Sequence, residues 1–303
     1  MLKDRYGREI RGLRISITSR CNLRCFYCHG EGCRAGSTEM TPPEIEKIAR
    51  LAFELGIRSV KITGGEPLVR DDICDIVKGI SSAGFEDISM TTNGLFLAEK
   101  AADLCEAGLR RVNVSLDTLR PELYARITGE SALPRVLSGI EAALKAGMNP
   151  VKINTVVLSG LNEDEIPDMI GYASRHGVAL QLIELVDAGG EIFMKHHADL
   201  SDIEDMVRKR AIKLVTRDDM QARRRYLLPG VEVEIVRPVH SSEFCARCTR
   251  LRLTPDGFLK PCLMRDDGTV DLVSHIRSGD MDGARRAFLR AVEAREPFWK
   301  EKT

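Results

Sequence analysis

Residues 11–28 read RGLRISITSRCNLRCFYC. Leu13, Ile15 and Ile17 alternate with more polar neighbours up to Thr18, the period of a half-buried β-strand. That strand runs directly into Cys21, Cys25 and Cys28, spaced x3 and x2. Thiols this close cannot staple distant segments, but one loop can aim three of them at a single metal centre. A four-iron cluster normally takes four protein ligands, so three thiolates would leave one iron open to a substrate. A zinc site completed by His29 or Cys33 would use the same residues.

Downstream the strand-and-helix unit recurs. Thr41-Pro42-Pro43-Glu44 reads as a capping box with prolines in the first turn, opening a helix that ends near Gly56. Strand Ser59 to Thr63 is followed by a helix to about Ala83, and strand Asp87 to Thr91 by a helix to Ala107. Strand Arg111 to Leu116 precedes helical segments to Ala146. Gly84, Gly108 and Gly147 stop these helices. Strand Val151 to Val157 leads to a helix capped by Asn162 and Glu165, and strand Ala179 to Leu185 closes the series.

Strands alternating with helices imply an α/β fold with a parallel sheet, either doubly wound or a partial (β/α)6 barrel of the TIM type. The segments after the apolar runs, CNLRCFYC, GGEP, TTNG, SLD, LSG and ELVD, are polar or glycine-rich. In either architecture the ligand lies beyond the C-terminal strand ends, so these segments mark the expected catalytic face. In GGEP, Gly64 and Gly65 would let backbone groups approach a ligand, and Glu66 could pair with an ammonium.

From about Phe193 the pattern changes to a charged helix, a hairpin turning at Pro229-Gly230, a second cysteine cluster and a C-terminal helical segment. The expected division is a barrel over 1–235 and an appended segment over 236–303. The second cluster, Cys245-x2-Cys248-x13-Cys262, again offers three thiols; a zinc knuckle completed by His240 is the alternative. In a strand, Arg250 and Arg252 would share one face beside this metal and could grip an anionic substrate, or else lie solvated on a hairpin turning at Asp256-Gly257.

The 303 residues carry 45 Lys and Arg against 45 Asp and Glu, so no global charge argues for nucleic acid or an anionic membrane. The opening MLKDRYGREIRG is charged, without an apolar core, and no apolar run is long enough to span a bilayer; the expectation is a soluble, cytoplasmic protein. Six of nine cysteines fall in the two clusters, which suits metal ligation in a reducing compartment. Cys33, Cys74 and Cys105 are left as ordinary residues.

CNLRCFYC followed by GGEP resembles the radical S-adenosylmethionine superfamily. The resemblance implies that Cys21, Cys25 and Cys28 ligate a [4Fe-4S] cluster whose open iron binds S-adenosylmethionine, cleaved on reduction to methionine and a 5′-deoxyadenosyl radical. With GGEPL, MTTNG, NVSLD and the C-terminal triplet, the chain resembles the GTP 3′,8-cyclase family of molybdenum cofactor biosynthesis nearly end to end. That resemblance implies a second [4Fe-4S] cluster on Cys245, Cys248 and Cys262 that binds the guanine of GTP. It also implies hydrogen abstraction at ribose C3′ and attack on guanine C8, giving (8S)-3′,8-cyclo-7,8-dihydroguanosine 5′-triphosphate.

Carried over by position, Tyr27, Gly65 and Ser115 are expected contacts to S-adenosylmethionine, and Arg14, Lys61, Thr91, Lys152, Arg250 and Arg252 contacts to GTP. Arg14, Lys61 and Lys152 are charges inside otherwise apolar strand runs, as lumen-facing residues of a barrel would be. No general acid or base stands out. The resemblance further implies a flavodoxin- or ferredoxin-type reductant and a downstream pyranopterin synthase as partners, and allows a homodimer. Two departures are visible: Val186 stands where the family often has methionine, and residues 299–303, WKEKT, replace a terminal double glycine. The competing readings are a radical enzyme acting on a peptide or another small molecule, and a zinc module binding nucleic acid through Arg223-Arg224-Arg225.

Overall fold

The computed structural model describes residues 2–30, 38–187, 190–217, 221, 223–238 and 242–297. Cys33, His240 and residues 299–303 lie outside the described residues. Strand β1 (Gly12–Ser16) opens the repeating units: α1 (Pro42–Glu54), β2 (Ser59–Thr63), α2 (Ile73–Ser82), β3 (Asp87–Thr92), α3 (Leu97–Ala107), β4 (Arg111–Ser115), α4 (Pro121–Thr128), α5 (Leu133–Lys145), β5 (Val151–Val157), α6 (Ile166–His176) and β6 (Ala179–Glu184). Next come α7 (Glu191–His196), α8 (Ser201–Arg210), β7 (Lys213–Arg217), β8 (Arg223–Leu228), β9 (Val231–Val236) and α9 (Ser242–Ala246). The C-terminal part holds β10 (Arg250–Leu253), β11 (Phe258–Lys260), β12 (Val270–Asp271), α10 (Val273–Ser278) and α11 (Met281–Glu293).

Local chemistry sets the helix ends. The Thr41 N–H donates to Glu44 Oε2 at 2.8 Å and two prolines occupy the first turn of α1, whose Ile45, Ile48, Ala49 and Ala52 are buried. Gly108, at φ +117, ends α3 in the left-handed conformation that disfavours side chains. Asn162 and Glu165 do not cap their own helix. The Asn162 amide accepts from Leu158 N at 2.7 Å and donates to the carbonyls of Asp117 and Val156 at 2.8 and 2.9 Å. Glu165 takes the Thr118 hydroxyl, the Leu119 N–H and the Arg120 Nε–H. Both residues are buried, and the loops after β4 and β5 supply donors and acceptors that burial would otherwise leave unmatched.

Among the described residues all strands form one sheet, in the order β12-β11-β10-β1-β2-β3-β4-β5-β6-β9-β8-β7. From β10 through β9 every neighbouring pair is parallel, with antiparallel hairpins at both ends. The parallel series therefore exceeds the six expected strands by β9 and β10. Each of these belongs to a hairpin rather than a strand-helix repeat, so periodicity alone did not place it beside β6 or β1. The two ends of the parallel series approach one another: Gln221 N donates to Arg247 O at 3.3 Å, and the Arg223 guanidinium sits 5.8 Å from the Phe244 ring centre. A sheet bent so far is an incomplete barrel.

Parallel strands covered on both faces usually read as continuous apolar runs. Here Leu13, Ile15, Val60, Ile62, Ile88, Met90, Val112 and Val114 are buried, each worth roughly 1.5–3 kcal/mol. The residues between them face a cavity and are polar.

Candidate active site

The inward faces of the parallel strands, together with both cysteine loops, line one cavity of about 720 Å³. Cys21, Cys25 and Cys28 line it, and so do Cys245, Cys248 and Cys262. Tyr27, Gly65 and Ser115 border the same space, as do Arg14, Lys61, Thr91, Lys152, Arg250 and Arg252. The six clustered cysteines and the nine expected cofactor and substrate contacts thus border one cavity.

The first cysteine loop leaves β1 and is pinned beneath by α4, where Arg24 N and Phe26 N donate to the carbonyls of Thr128 and Ile127 at 2.9 and 3.2 Å. Phe26 and Tyr27 pack on a small apolar cluster of Ile127, Leu158, Leu161 and Leu185. The Tyr27 hydroxyl donates to Asp117 Oδ2 at 2.6 Å, and Asp117 Oδ1 accepts from Val156 N at 2.9 Å. Burial raises the Asp117 carboxyl to about 6.

Two backbone N–H groups point at sulfur: Leu23 N lies 3.5 Å from Cys21 Sγ, and Gly30 N lies 3.4 Å from Cys28 Sγ. Burial, then the negative charge of Asp117, pushes the Cys25 thiol up to about 12. Three sulfurs on one loop, with N–H groups to support thiolates and a need for a cationic partner, fit an iron–sulfur cluster.

GGEP clamps this loop from the next strand. Gly65 N donates to Thr18 O and Glu66 N to Arg20 O, both at 2.8 Å. A Cβ on Gly64 would lie 2.5 Å from Thr18 O, and one on Gly65 would overlap the Arg20 carbonyl. The bare backbone is needed here for the approach of the chain itself. Glu66 is held by the chain itself. Its carboxylate is fully buried and accepts from Leu68 N (2.9 Å), Thr92 Oγ1 (2.6 Å) and Asn93 N (2.6 Å), while the residue borders the cavity. The Asn93 amide continues this link to Asn22 Oδ1 at 2.7 Å, inside the cysteine loop.

Strand register builds a cationic row. Arg252 of β10 pairs with Arg14 of β1, Arg14 with Lys61 of β2, Lys61 with Ser89 of β3, and Ser89 with Arg111 of β4. Lys61 donates to Asn113 Oδ1 at 3.1 Å; burial and then Arg14 and Arg250 press its ammonium well below the usual lysine value. Burial, followed by Arg223 and Arg14, lowers Arg250 too. Lys152 differs, because Glu234 at 3.1 Å and Glu232 at 3.5 Å already answer its charge.

Sequence reasoning missed Arg111, Asn113, Asp117, Asn154 and Gln181, all on the cavity wall. The signal was a polar residue at every second position of an internal strand. The Arg223-Arg224-Arg225 run, weighed as a nucleic-acid patch, is consumed internally: the three pair with Glu234, Glu204 and Glu232 respectively.

Residues 15–173 match the model of the Radical SAM superfamily. The chain belongs to that superfamily. The superfamily's shared cofactors are a [4Fe-4S] cluster and S-adenosylmethionine. Residues 178–301 match the Molybdenum Cofactor Synthesis C model. The chain is 48% identical over 303 residues to a probable GTP 3′,8-cyclase of Methanothermobacter marburgensis, covering 98% of each. It is 45% identical over 302 residues to one from Methanocaldococcus jannaschii, covering 99% of this chain and 100% of that one. Among solved structures, Streptococcus suis SuiB bound to S-adenosylmethionine matches with TM-score 0.62 and 16% identity, over 88% of this chain and 62% of that chain. Native anSMEcpe with bound AdoMet matches with TM-score 0.59 and 17% identity, over 84% and 75%. These two share the fold. Among the described residues no helix is long and apolar enough to cross a membrane.

Proposed function

We propose that this radical SAM enzyme converts GTP to (8S)-3′,8-cyclo-7,8-dihydroguanosine 5′-triphosphate, the first step of molybdenum cofactor biosynthesis. The observation that carries the reading is the meeting of two three-cysteine loops and a row of half-buried cations on one cavity. End-to-end similarity to probable GTP 3′,8-cyclases supports it.

In this reading Cys21, Cys25 and Cys28 hold the first cluster, and Tyr27, Gly65 and Ser115 border S-adenosylmethionine. Cys245, Cys248 and Cys262, in the segment 236–303, hold a second [4Fe-4S] cluster that receives the guanine. When bound, the first cluster and S-adenosylmethionine supply one-electron chemistry that generates the hydrogen-abstracting radical. The chain's own part is positional. Arg14, Lys61, Arg250 and Arg252 draw the triphosphate against the β10–β1–β2 wall, where an anion relieves the crowding of positive charge. Thr91 and Lys152, in register with Asn113 between them, extend the polar wall toward the ribose. The apolar outer shell keeps water from the reacting atoms. The reductant, of flavodoxin or ferredoxin type, and the pyranopterin synthase that takes the product follow from family resemblance, as does a cytoplasmic setting.

Anaerobic incubation with GTP, S-adenosylmethionine and a reductant tests the proposal. Formation of the cyclised guanosine product is expected; cleavage of S-adenosylmethionine without it would sink the GTP assignment.

A further inference from the structure

The two ends of the chain meet behind the second cysteine loop in a buried cluster of charges. Asp4, Arg8 and Arg295 have side chains 0%, 8% and 3% exposed. Asp4 Oδ2 accepts from Arg8 Nε at 2.7 Å and from Arg295 Nη1 at 2.9 Å, while Oδ1 accepts the backbone N–H groups of Tyr6 and Arg8. The carboxylate is thus saturated, and it aims both guanidiniums in one direction. Arg8 Nη1 donates to Cys245 O at 2.8 Å, and Arg295 Nη2 donates to Cys248 O at 2.5 Å. Cys248 N donates to Cys245 O at 3.1 Å, so the turn between the two cysteines is fixed at three points. Thr249 O then accepts from Arg11 N and Gly12 N, coupling the same loop to β1.

Stability is a weak explanation for this arrangement. Buried ionic triads can often be replaced by well-packed apolar residues at little or no cost. Two things lie beyond apolar residues: donating to the cysteine carbonyls, and placing a net positive charge, two guanidiniums against one carboxylate, beside three thiolates. We infer that Asp4, Arg8 and Arg295 are positioning residues for the second metal centre, holding the Cys245–Cys248 turn in ligating form and offsetting the negative charge of the thiolate-bound cluster. The inference rests on the two-cluster reading above.

The test uses full-length protein reconstituted anaerobically, with iron and sulfide analysis, electron paramagnetic resonance and a redox titration of each cluster. Two four-iron clusters correspond to about eight irons per chain. Arg295→Met should lose iron toward about four per chain, or keep the second cluster with an altered signal and a more negative midpoint potential. Cleavage of S-adenosylmethionine without GTP should stay within about twofold of the unaltered protein, since the first cluster is untouched. Arg295→Lys, which keeps the charge but not both hydrogen bonds, should recover the potential more than the signal shape. If Arg295→Met does not fold, Arg8→Lys perturbs the same turn with the charge retained and should alter the second signal alone. Iron lost from both clusters in parallel, or a full iron complement with unchanged signal and potential, would overturn the inference. Unaltered protein with only about four irons would overturn the two-cluster reading itself, and is distinguishable because it appears before any substitution is made.

Discussion

Gly65→Ala is the sharpest test of how the first cluster loop is held. The added Cβ would overlap Arg20 O and sit 2.7 Å from the Arg20 carbonyl carbon and 2.8 Å from Ser19 O. All three are backbone atoms, so no side chain can swing aside. Relief requires the two segments to part by about 1 Å, the gap to an ordinary van der Waals distance. Parting stretches the 2.8 Å bonds from Gly65 N to Thr18 O and from Glu66 N to Arg20 O. Two backbone hydrogen bonds at about 0.5–1.5 kcal/mol each, plus overpacking at about 1–3 kcal/mol, give a local cost of roughly 2–6 kcal/mol. The displaced residue, Arg20, immediately precedes Cys21. A misplacement of this size typically costs about a hundredfold in rate. The assay is cleavage of S-adenosylmethionine by dithionite-reduced protein without GTP, alongside the spectrum of the first cluster. Gly171→Ala is the control, because its Cβ would meet only the far end of Arg175 at 3.3 Å. If Gly65→Ala keeps its first cluster and cleaves within twofold of the unaltered enzyme, close backbone approach is not what positions the loop.

Further outcomes follow from other walls of the cavity. Cys245→Ser should retain the first cluster and uncoupled cleavage of S-adenosylmethionine while abolishing GTP turnover; surviving turnover would make the second centre structural. Lys61→Met removes a half-buried, cavity-lining cation crowded by Arg14 and Arg250, so the melting temperature should hold or rise, while GTP affinity should drop about 10- to 150-fold for a lost charge-assisted hydrogen bond of roughly 1.5–3 kcal/mol; tighter GTP binding would refute the anion site. Asp117 is raised by burial from 3.8 to about 6, so the folded state holds this proton longer than the unfolded one. Its contribution is fully present below about pH 4 and is lost as pH rises through 6, a change of roughly 3 kcal/mol. In metal-free protein, denaturant unfolding of Asp117→Asn between pH 4 and 7 should therefore be flatter than that of the unaltered chain, and identical slopes would show that the carboxyl is not held as described.

Much of this was legible because it is local or periodic. Alternation in residues 11–18 marks β1, and the recurring units mark the parallel sheet; Pro229-Gly230 and Asp256-Gly257 do turn hairpins, between β8 and β9 and between β10 and β11. What escaped depends on distant partners. Asn162 and Glu165 carry the residue types of a helix start, yet their side chains serve loops some 40 residues earlier in the chain, because burial there demands donors and acceptors. Nothing around Glu66 in the sequence announces that Thr92 and Asn93, of the next strand and loop, donate to its carboxylate. The opening MLKDRYGREIRG reads only as a charged segment, and nothing in it announces that Asp4 will meet Arg295 across 291 positions.

The inward polarity of the sheet connects these cases. A parallel strand buried on both faces gains most from apolar residues, yet β1, β2, β5 and β10 each place a cation on the cavity side. Where the chain can neutralise such a charge it does so, as with Lys152 and its two glutamates. Around Lys61 and Arg250, burial and neighbouring guanidiniums disfavour the charged form. Folding alone would select against that arrangement, because a desolvated cation next to like charges is among the costlier features a core can carry. In the proposed reading a polyanion would meet Arg252, Arg14 and Lys61 where the register aligns them, and would offset that cost over the same few ångströms. The cysteine loops stand at opposite ends of that wall, the first after β1 and the second before β10, one tied by GGEP and the other by the Asp4–Arg8–Arg295 cluster. In the proposed reading, an enzyme that must hold a reactive carbon radical near one atom of its substrate gains from both an anchored anion and fixed cysteine loops, and a single bent sheet brings these residues to one cavity.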